Sequence, residues 1–206
     1  YQAMYSTTTG SGNTAVGQSS MYSNTTGGYN TAIGISSMYS NTTGSDNVAV
    51  GNDALTLNTE GGSNVGLGVQ ALRSNTTGNA NIAIGRQALY TNSTGSYNVV
   101  IGKESAYNLT GSYNVAIGYN SLKAATSLNS AVAIGYGAMK DTTTGENNIA
   151  VGMYALSSNT TGSNNTALGH QALYDNTGSD NTAIGAIALG SNTTGEFNTA
   201  IGRSSL

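Results

Sequence analysis

The chain has 206 residues, with 6 lysines and arginines against 9 aspartates and glutamates, and its formal net charge is −3 at pH 7. So little positive charge excludes the basic stripe of a nucleic-acid-binding protein and the basic face of a membrane-surface helix. No apolar run is long enough to cross a bilayer, so membrane insertion is not expected. Cysteine and proline are absent, so disulfides do not hold the fold and proline does not interrupt backbone ladders.

A repeat of sixteen or seventeen residues fills the chain, and every copy closes on a glycine that follows Ile, Val or Leu. The closing glycines are Gly17, Gly34, Gly51, Gly68, Gly85, Gly102, Gly118, Gly135, Gly152, Gly169, Gly185 and Gly202. A fixed short period indicates one structural unit stacked on itself. Seventeen residues are too few for a helix-containing repeat such as ankyrin. The sequence therefore predicts an all-β fold, a parallel β-solenoid (β-roll) of twelve 16–17-residue coils, as a single array over residues 1–206.

One copy, residues 18–34, illustrates the predicted elements in chain order. Residues 20–23 predict a short, weaker strand. Residues 24–27, Asn-Thr-Thr-Gly, predict a turn, because Asn suits the start of a type I turn and Gly suits the positive φ that follows it. Residues 30–33 alternate and end at Gly34, which predicts the main strand. Each copy is thus expected to form one coil.

Three positions in each copy are predicted to fill the core. In the copy 18–34 they are Ile33 before the closing glycine, Thr31 on the same strand face, and Met21 in the weaker strand. The small residue between the first two, here Ala32, is predicted to point outward. A row of such alanines would allow another chain to approach closely.

An asparagine opens the main strand in eleven of the twelve coils. We predict that these side chains stack and hydrogen-bond along the axis as a structural ladder, as in cross-β assemblies. The alternative is a ligand site, but neutral amides lack the carboxylates that a hard metal cation prefers. The predicted ladder residues are Asn13, Asn30, Asn47, Asn64, Asn81, Asn98, Asn114, Asn148, Asn165, Asn181 and Asn198.

A second set of asparagines lies in the predicted turn and satisfies the N-glycosylation pattern Asn-x-Ser/Thr. Turn chemistry alone explains an Asn there, and glycosylation of an exposed turn is the alternative. The candidate acceptors are Asn24, Asn41, Asn75, Asn92, Asn108, Asn159 and Asn192. Tyrosines recur after the Leu/Met position and before the ladder Asn, where they predict stacking between coils or, alternatively, a platform for a sugar or protein partner.

Three copies are irregular, and the ends of the array carry no polar cap. The copies that end at Gly118 and Gly185 lose one residue in the turn, which should leave strand register intact. The copy 119–135 lacks both the turn glycine and the ladder asparagine, so a local distortion is expected there. Because solenoids normally need polar caps, the array is expected to be a segment of a longer chain or of a polymer.

Chemistry-bearing residues are few and scattered. His170 is the single histidine, and it occupies the variable first position of its coil, where a solvent-facing side chain is expected. Without a second histidine or a cysteine, neither a zinc site nor a Ser–His–acid triad is credible. The sequence therefore predicts no enzyme, no catalytic residues, no metal site and no cofactor.

The motif Asn181-Thr182-Ala183-Ile184-Gly185 and residues 130–135, Ser-Ala-Val-Ala-Ile-Gly, resemble the head repeats of trimeric autotransporter adhesins. The longer motif in residues 165–173 is similar to repeat regions of phage tail-fibre proteins. The resemblance covers essentially the whole chain. It implies a left-handed parallel β-roll, three chains around one axis and adhesion to surfaces. It carries over no catalytic residues.

We therefore expect a non-enzymatic structural fibre with an adhesive or spacer role, located outside the cell, on the cell surface or on a virion. Its expected partner is itself, as a homotrimer or a head-to-tail filament, with cell-surface or environmental glycans as further partners. The alternative is a module that binds a regular lattice, such as ice or a crystalline polysaccharide, through Thr/Tyr ladders. The paired threonines lie side by side in a turn rather than along one strand face, which argues against that alternative.

Overall fold

The computed structural model describes residues 2–206; Tyr1, with which the predicted array begins, lies outside the described residues. Within residues 2–206 there are twelve strands of three residues each, and there is no helix that would reach across a bilayer. The strands are β1 (Thr14–Val16), β2 (Thr31–Ile33), β3 (Val48–Val50), β4 (Val65–Leu67), β5 (Ile82–Ile84), β6 (Val99–Ile101), β7 (Val115–Ile117), β8 (Val132–Ile134), β9 (Ile149–Val151), β10 (Thr166–Leu168), β11 (Thr182–Ile184) and β12 (Thr199–Ile201).

The chain divides into two compact units, residues 1–103 and residues 104–206. In the first unit β1 to β6 pair in chain order, and in the second unit β7 to β12 do the same. All of these pairings are parallel, and each residue lies beside its equivalent in the next coil; Thr31, for example, pairs with Val48. This confirms the predicted all-β parallel β-solenoid.

The strand side chains face the opposite way from the prediction. The central alanines are completely buried in every strand that has one except the first and the last, whereas Ile33 is 40% exposed and Val16 is 56% exposed. The fully buried alanines of the strands are Ala32, Ala49, Ala83, Ala116, Ala133, Ala150, Ala167 and Ala183. The prediction that the branched residues fill the core and the alanines form an outward row is therefore wrong.

The reason for this reversal is the narrow interior of the coil. Gly66 stands where most strands have Ala, and a Cβ added to it would lie 3.3 Å from Cδ1 and 3.4 Å from Cγ of Leu55. That space accepts one methyl group, because the long Leu or Met side chain of the same coil already fills the rest. Val100, in β6, is the one larger strand side chain that is fully buried among the described residues.

The predicted weaker strand is also wrong, although its Leu/Met position is correct. In residues 20–23 the backbone turns, and the flanking Ser19 and the central Met21 have left-handed φ values of 56° and 50°. Such residues cannot form a pleated strand. The segment still bonds to the next coil, since the N–H of Met21 donates to the Ser37 carbonyl at 2.9 Å. The Leu/Met position is confirmed as core: Met21, Met38, Leu55, Leu72, Leu89, Leu122, Met139, Leu156 and Leu173 are fully buried.

The irregular copies keep the strand pairing. In the short copy that ends at Gly185, β11 pairs with β10 in register, Thr182 beside Thr166, so the missing turn residue is absorbed outside the strand. In the copy 119–135, Val132 pairs with both Val115 and Ile149, so the expected distortion does not reach the strand. The asparagine and glycine positions of that copy hold Ala125, Leu128 and Ala131, and all three are buried.

Candidate functional site: asparagine ladders and exposed rows

The predicted ladder asparagines lie at the entrance to each strand and point inward. In the first unit, the backbone N–H of Asn47 donates to Oδ1 of Asn30 at 3.0 Å, and Nδ2 of Asn47 donates to the same oxygen at 3.1 Å and to the Gly61 carbonyl at 2.8 Å. In the second unit, the backbone N–H of Asn165 donates to Oδ1 of Asn148 at 2.8 Å. We call this row the strand ladder. Its amides bond to backbone groups and to neighbouring amides along the axis, which is the arrangement of a structural ladder.

A second ladder, which the sequence analysis did not anticipate, is formed by asparagines of the turn. Nδ2 of Asn41 donates to Oδ1 of Asn24 at 2.8 Å and to the Gly44 carbonyl of its own turn at 2.9 Å. Asn58 belongs to the same row, and its Nδ2 donates to Oδ1 of Asn41 at 2.8 Å. Asn58 precedes Thr59-Glu60 and so lacks the glycosylation pattern. An asparagine at this position without the glycosylation pattern is the signal in the sequence that the turn requires the amide itself. We call this row the turn ladder.

Most of the candidate glycosylation sites are therefore not exposed, which corrects the expectation of an exposed turn. The five completely buried acceptors are Asn24, Asn41, Asn75, Asn92 and Asn159. Each turns inward because its amide reaches the carbonyl of the glycine that closes its own turn, three residues on. Asn108 is exposed and Asn192 is half-buried, and glycosylation of these two remains a prediction.

Asn58→Ala tests the turn ladder. The change leaves Oδ1 of Asn41 without its donor and takes away the acceptor of one N–H of Nδ2 of Asn75, while the Gly61 carbonyl keeps its bond from Asn47. Buried polar atoms left without partners cost about 1–3 kcal/mol each, so we expect a loss of unfolding free energy of about 2–4 kcal/mol in a denaturant titration. Glu60→Ala, in the same turn but exposed, is the control and should change it by less than about 0.5 kcal/mol. Equal effects of the two changes would contradict a structural turn ladder.

The first and third residues of every strand point out of the coil and form what we call the outer strand face. They are Thr, Val, Ile or Leu throughout. More than a third of the side-chain surface is exposed at Val16, Ile33, Ile82 and Ile101 in the first unit and at Ile149, Val151, Ile184 and Ile201 in the second. Each unit therefore presents two parallel columns of apolar and threonine side chains to its surroundings.

The threonine pairs of the turn are only half available to a ligand. The hydroxyl of Thr25 donates to the carbonyl of Thr42 in the next coil at 3.0 Å, and Thr143 donates to Thr160 at the same distance. The second threonine of a pair, such as Thr26, is exposed. One threonine of each pair therefore serves the solenoid itself, which weakens the case for a Thr lattice.

Tyrosines in the first unit form a stacked column. The ring centroids of Tyr5 and Tyr22 lie 5.1 Å apart with an interplanar angle of 12°, and those of Tyr22 and Tyr39 lie 5.2 Å apart at 4°. This is the stacking between coils that the sequence indicated, and it covers both faces of Tyr22.

A second group of rings lies in the second unit and is arranged differently. Tyr119, Tyr136, Tyr154 and Tyr174, which we call the aromatic cluster, have successive centroid distances of 5.3, 5.2 and 6.3 Å and interplanar angles of 32°, 77° and 85°. A side-chain hydrogen bond with Tyr154, and then the electrostatic influence of that residue, raise the pKa of Tyr136. Its hydroxyl therefore loses its proton at a higher pH than that of an ordinary tyrosine.

Charged groups are dispersed over the surface. Nζ of Lys123 lies 2.7 Å from Oε2 of Glu104, and Nζ of Lys140 lies 3.9 Å from Oδ1 of Asp141. His170 is exposed, as expected for its position. Within residues 2–206, no group of three or more His, Asp or Glu side chains comes close enough to hold a metal ion.

Comparisons with known proteins do not place the chain in a family. No protein-family model, no curated protein and no solved structure matches it. The resemblance to autotransporter heads and phage tail fibres therefore stays a prediction from the motif. The function of this chain has to be inferred from its own ladders, its outer strand face and its aromatic rings.

Proposed function

We propose that this chain is a non-enzymatic structural fibre, extracellular, on the cell surface or on a virion, that spaces or presents an adhesive surface and associates with itself. The observation that carries the proposal is the outer strand face. Soluble monomers rarely expose a contiguous apolar patch of more than a few hundred Å², and larger ones mark interaction sites. Here the outward positions of every strand carry apolar or threonine side chains, and the exposed apolar ones lie on β1, β2, β5 and β6 in the first unit and on β9, β11 and β12 in the second.

A second copy of the chain is the partner that fits this face best. Both copies carry the same two columns of side chains in each unit, repeated at the strand spacing of about 4.8 Å, so the rows of one unit match those of its counterpart. In a two-fold dimer identical patches bury each other, and in a three-fold trimer the same face of each copy can turn toward the common axis. The contact is made by the branched side chains and not by the alanine row that the sequence suggested, because those alanines are buried. A homotrimer follows from the family resemblance, and a head-to-tail filament is the other form.

Sedimentation of the purified chain tests self-association. At micromolar concentration we expect one oligomeric species, with a trimer as the favoured mass. The double variant Val151→Asp/Ile184→Asp places charges on the outer strand face and should shift the chain to monomer, because an unpaired charge in an apolar interface is costly. Its circular dichroism should remain that of the parent.

The matched control places the same charge at exposed turn positions, Thr144→Asp/Thr161→Asp. It should leave the oligomer intact, since these side chains lie outside the outer strand face. A parent chain that sediments as a folded monomer would overturn the proposal, and so would a control variant that dissociates as completely as the test variant.

A further inference from the structure

The aromatic cluster and the stacked column differ in how neighbouring rings are oriented, and therefore in which ring faces stay uncovered. In the column, near-parallel rings cover each other's faces and turn only their edges outward. In the cluster, the pairs Tyr136–Tyr154 and Tyr154–Tyr174 meet edge to face, at 77° and 85°. In an edge-to-face pair, the ring that contributes its edge keeps both faces uncovered by its partner. Tyr119 and Tyr136 are 37% and 47% exposed, and in the stacked column Tyr5 and Tyr39 are 61% and 36% exposed, so the orientation of the rings and not their exposure distinguishes the cluster.

We propose that the aromatic cluster is a binding site for a neutral, extended β-linked polysaccharide, which rests on the proposed adhesive function and gives it a ligand. A pyranose ring with equatorial substituents has a flat face of C–H groups that carry a small positive charge. Such a face packs on the electron-rich face of an aromatic ring. The cluster offers rings on four successive coils. Because neighbouring rings are tilted by 32°, 77° and 85° to each other, one sugar packs its face on a ring while the adjoining sugars of the same chain meet ring edges and hydroxyls.

The spacing and fixation of the rings favour a polymer over a single sugar. The coils set the ring spacing through backbone bonds, since the N–H of Gly137 donates to the Tyr119 carbonyl at 3.0 Å and the N–H of Tyr154 to the Tyr136 carbonyl at 2.9 Å. The centroid distances of 5.2–6.3 Å are comparable to the length of one pyranose unit in an extended chain. Gly137 makes room for Tyr154, because a Cβ there would lie 2.7 Å from its ring. Little entropy is lost on binding when the contact groups are already fixed.

Polar groups near the rings favour a neutral ligand. Lys140 lies close enough to act electrostatically on Tyr136, and its ammonium is itself 3.9 Å from the Asp141 carboxylate. The pair thus supplies a donor and an acceptor for sugar hydroxyls without a strong net field. A polyanionic glycan would need an excess of cations, and the ammonium beside this cluster is matched by a carboxylate.

The binding experiment uses cellohexaose as the probe and the full chain as the protein. We expect saturable binding by calorimetry, and weaker binding of maltohexaose, because its α-linked chain coils and cannot run straight past rings on four successive coils. Tyr136→Ala/Tyr154→Ala should weaken cellohexaose binding by at least about tenfold. The control Tyr22→Ala/Tyr39→Ala removes two rings of the stacked column and should change the affinity by less than about twofold. An equal loss in the control, or equal affinity for the two sugars, would overturn the inference.

Two further measurements keep the result interpretable. If the alanine variant unfolds, the NMR ring resonances of the parent chain locate the binding site instead. Cellohexaose should shift the resonances of Tyr136 and Tyr154 and leave those of Tyr22 and Tyr39 unchanged. The reverse pattern would overturn the inference. Sedimentation of the same samples reports self-association independently. A chain that forms oligomers but does not bind cellohexaose overturns the polysaccharide site alone. A monomeric chain that binds it overturns the self-associating fibre alone.

Discussion

Ala116→Asp is expected to unfold its unit, whereas Ile117→Asp, one residue further along β7, is expected to leave it folded. Ala116 is completely buried, and a carboxylate there would have neither space nor a partner. Burying an unpaired charge costs several kcal/mol, a large fraction of the stability of a domain. Ile117 lies on the outer strand face, where a charge stays in water, so the cost should be about 1 kcal/mol or less. Thermal unfolding followed by circular dichroism measures both.

The pair of variants also separates the two possible orientations of the strand. If the branched residues formed the core, Ile117→Asp would be the damaging change and Ala116→Asp the tolerated one. That order of melting temperatures would contradict the buried alanine row. Unfolding should be compared in dilute samples, because Ile117→Asp also alters the outer strand face and with it the proposed self-association.

Gly51→Ala is the second change with a large expected effect. Gly51 has a φ of +136°, and an added Cβ would lie 2.5 Å from the Gly68 carbonyl oxygen in the next coil. This backbone region is open essentially to glycine only, at about 1–3 kcal/mol for another residue, and the clash with backbone adds to it. We expect a loss of at least about 3 kcal/mol in a denaturant titration.

Gly66→Ala, also in the first unit, is the matched control. Gly66 pairs with Ala49 and Ala83 in the neighbouring strands, and the nearest atoms to an added Cβ would be Cδ1 of Leu55, at 3.3 Å, and the Ala71 carbonyl oxygen, at 3.4 Å. The change should be neutral or stabilise by about 0.4–1 kcal/mol, since alanine restricts the unfolded chain. If Gly51→Ala were as harmless as Gly66→Ala, the closing glycines would not be required by close packing between coils.

The period of the sequence was enough to predict the coil, its parallel pairing and its register. A strand of three residues gives two faces by alternation, but alternation does not say which face is inside. The sequence feature that identifies the inner face is a constant side-chain size. The position equivalent to Ala32 holds a small residue in nearly every coil because the interior is narrow, whereas the position equivalent to Thr31 varies among Thr, Val and Ile because it faces outward.

The backbone of the Leu/Met segment was beyond sequence reasoning. A buried Met21 at φ 50° contradicts the ordinary preference of side chains for negative φ. It persists because the next coil accepts its hydrogen bonds. The same holds for the turn ladder: Asn-Thr-Thr-Gly fits an exposed turn so well that the inward direction of Asn24 emerged only from its contacts.

The near-identity of the coils has a consequence for misfolding by slippage. Coils can pair wrongly after a shift of one whole copy, because most residues then meet the same residue types as before. The apolar copy at residues 119–135 does not prevent this. A shift by one coil would set the backbone N–H of Asn165 against Ala131 instead of Asn148, but Asn148 faces Ala131 in the native register, so the mismatch is the same in both. The shift is disfavoured because it expels one whole coil from the stack and exposes the Leu or Met side chain which that coil buries.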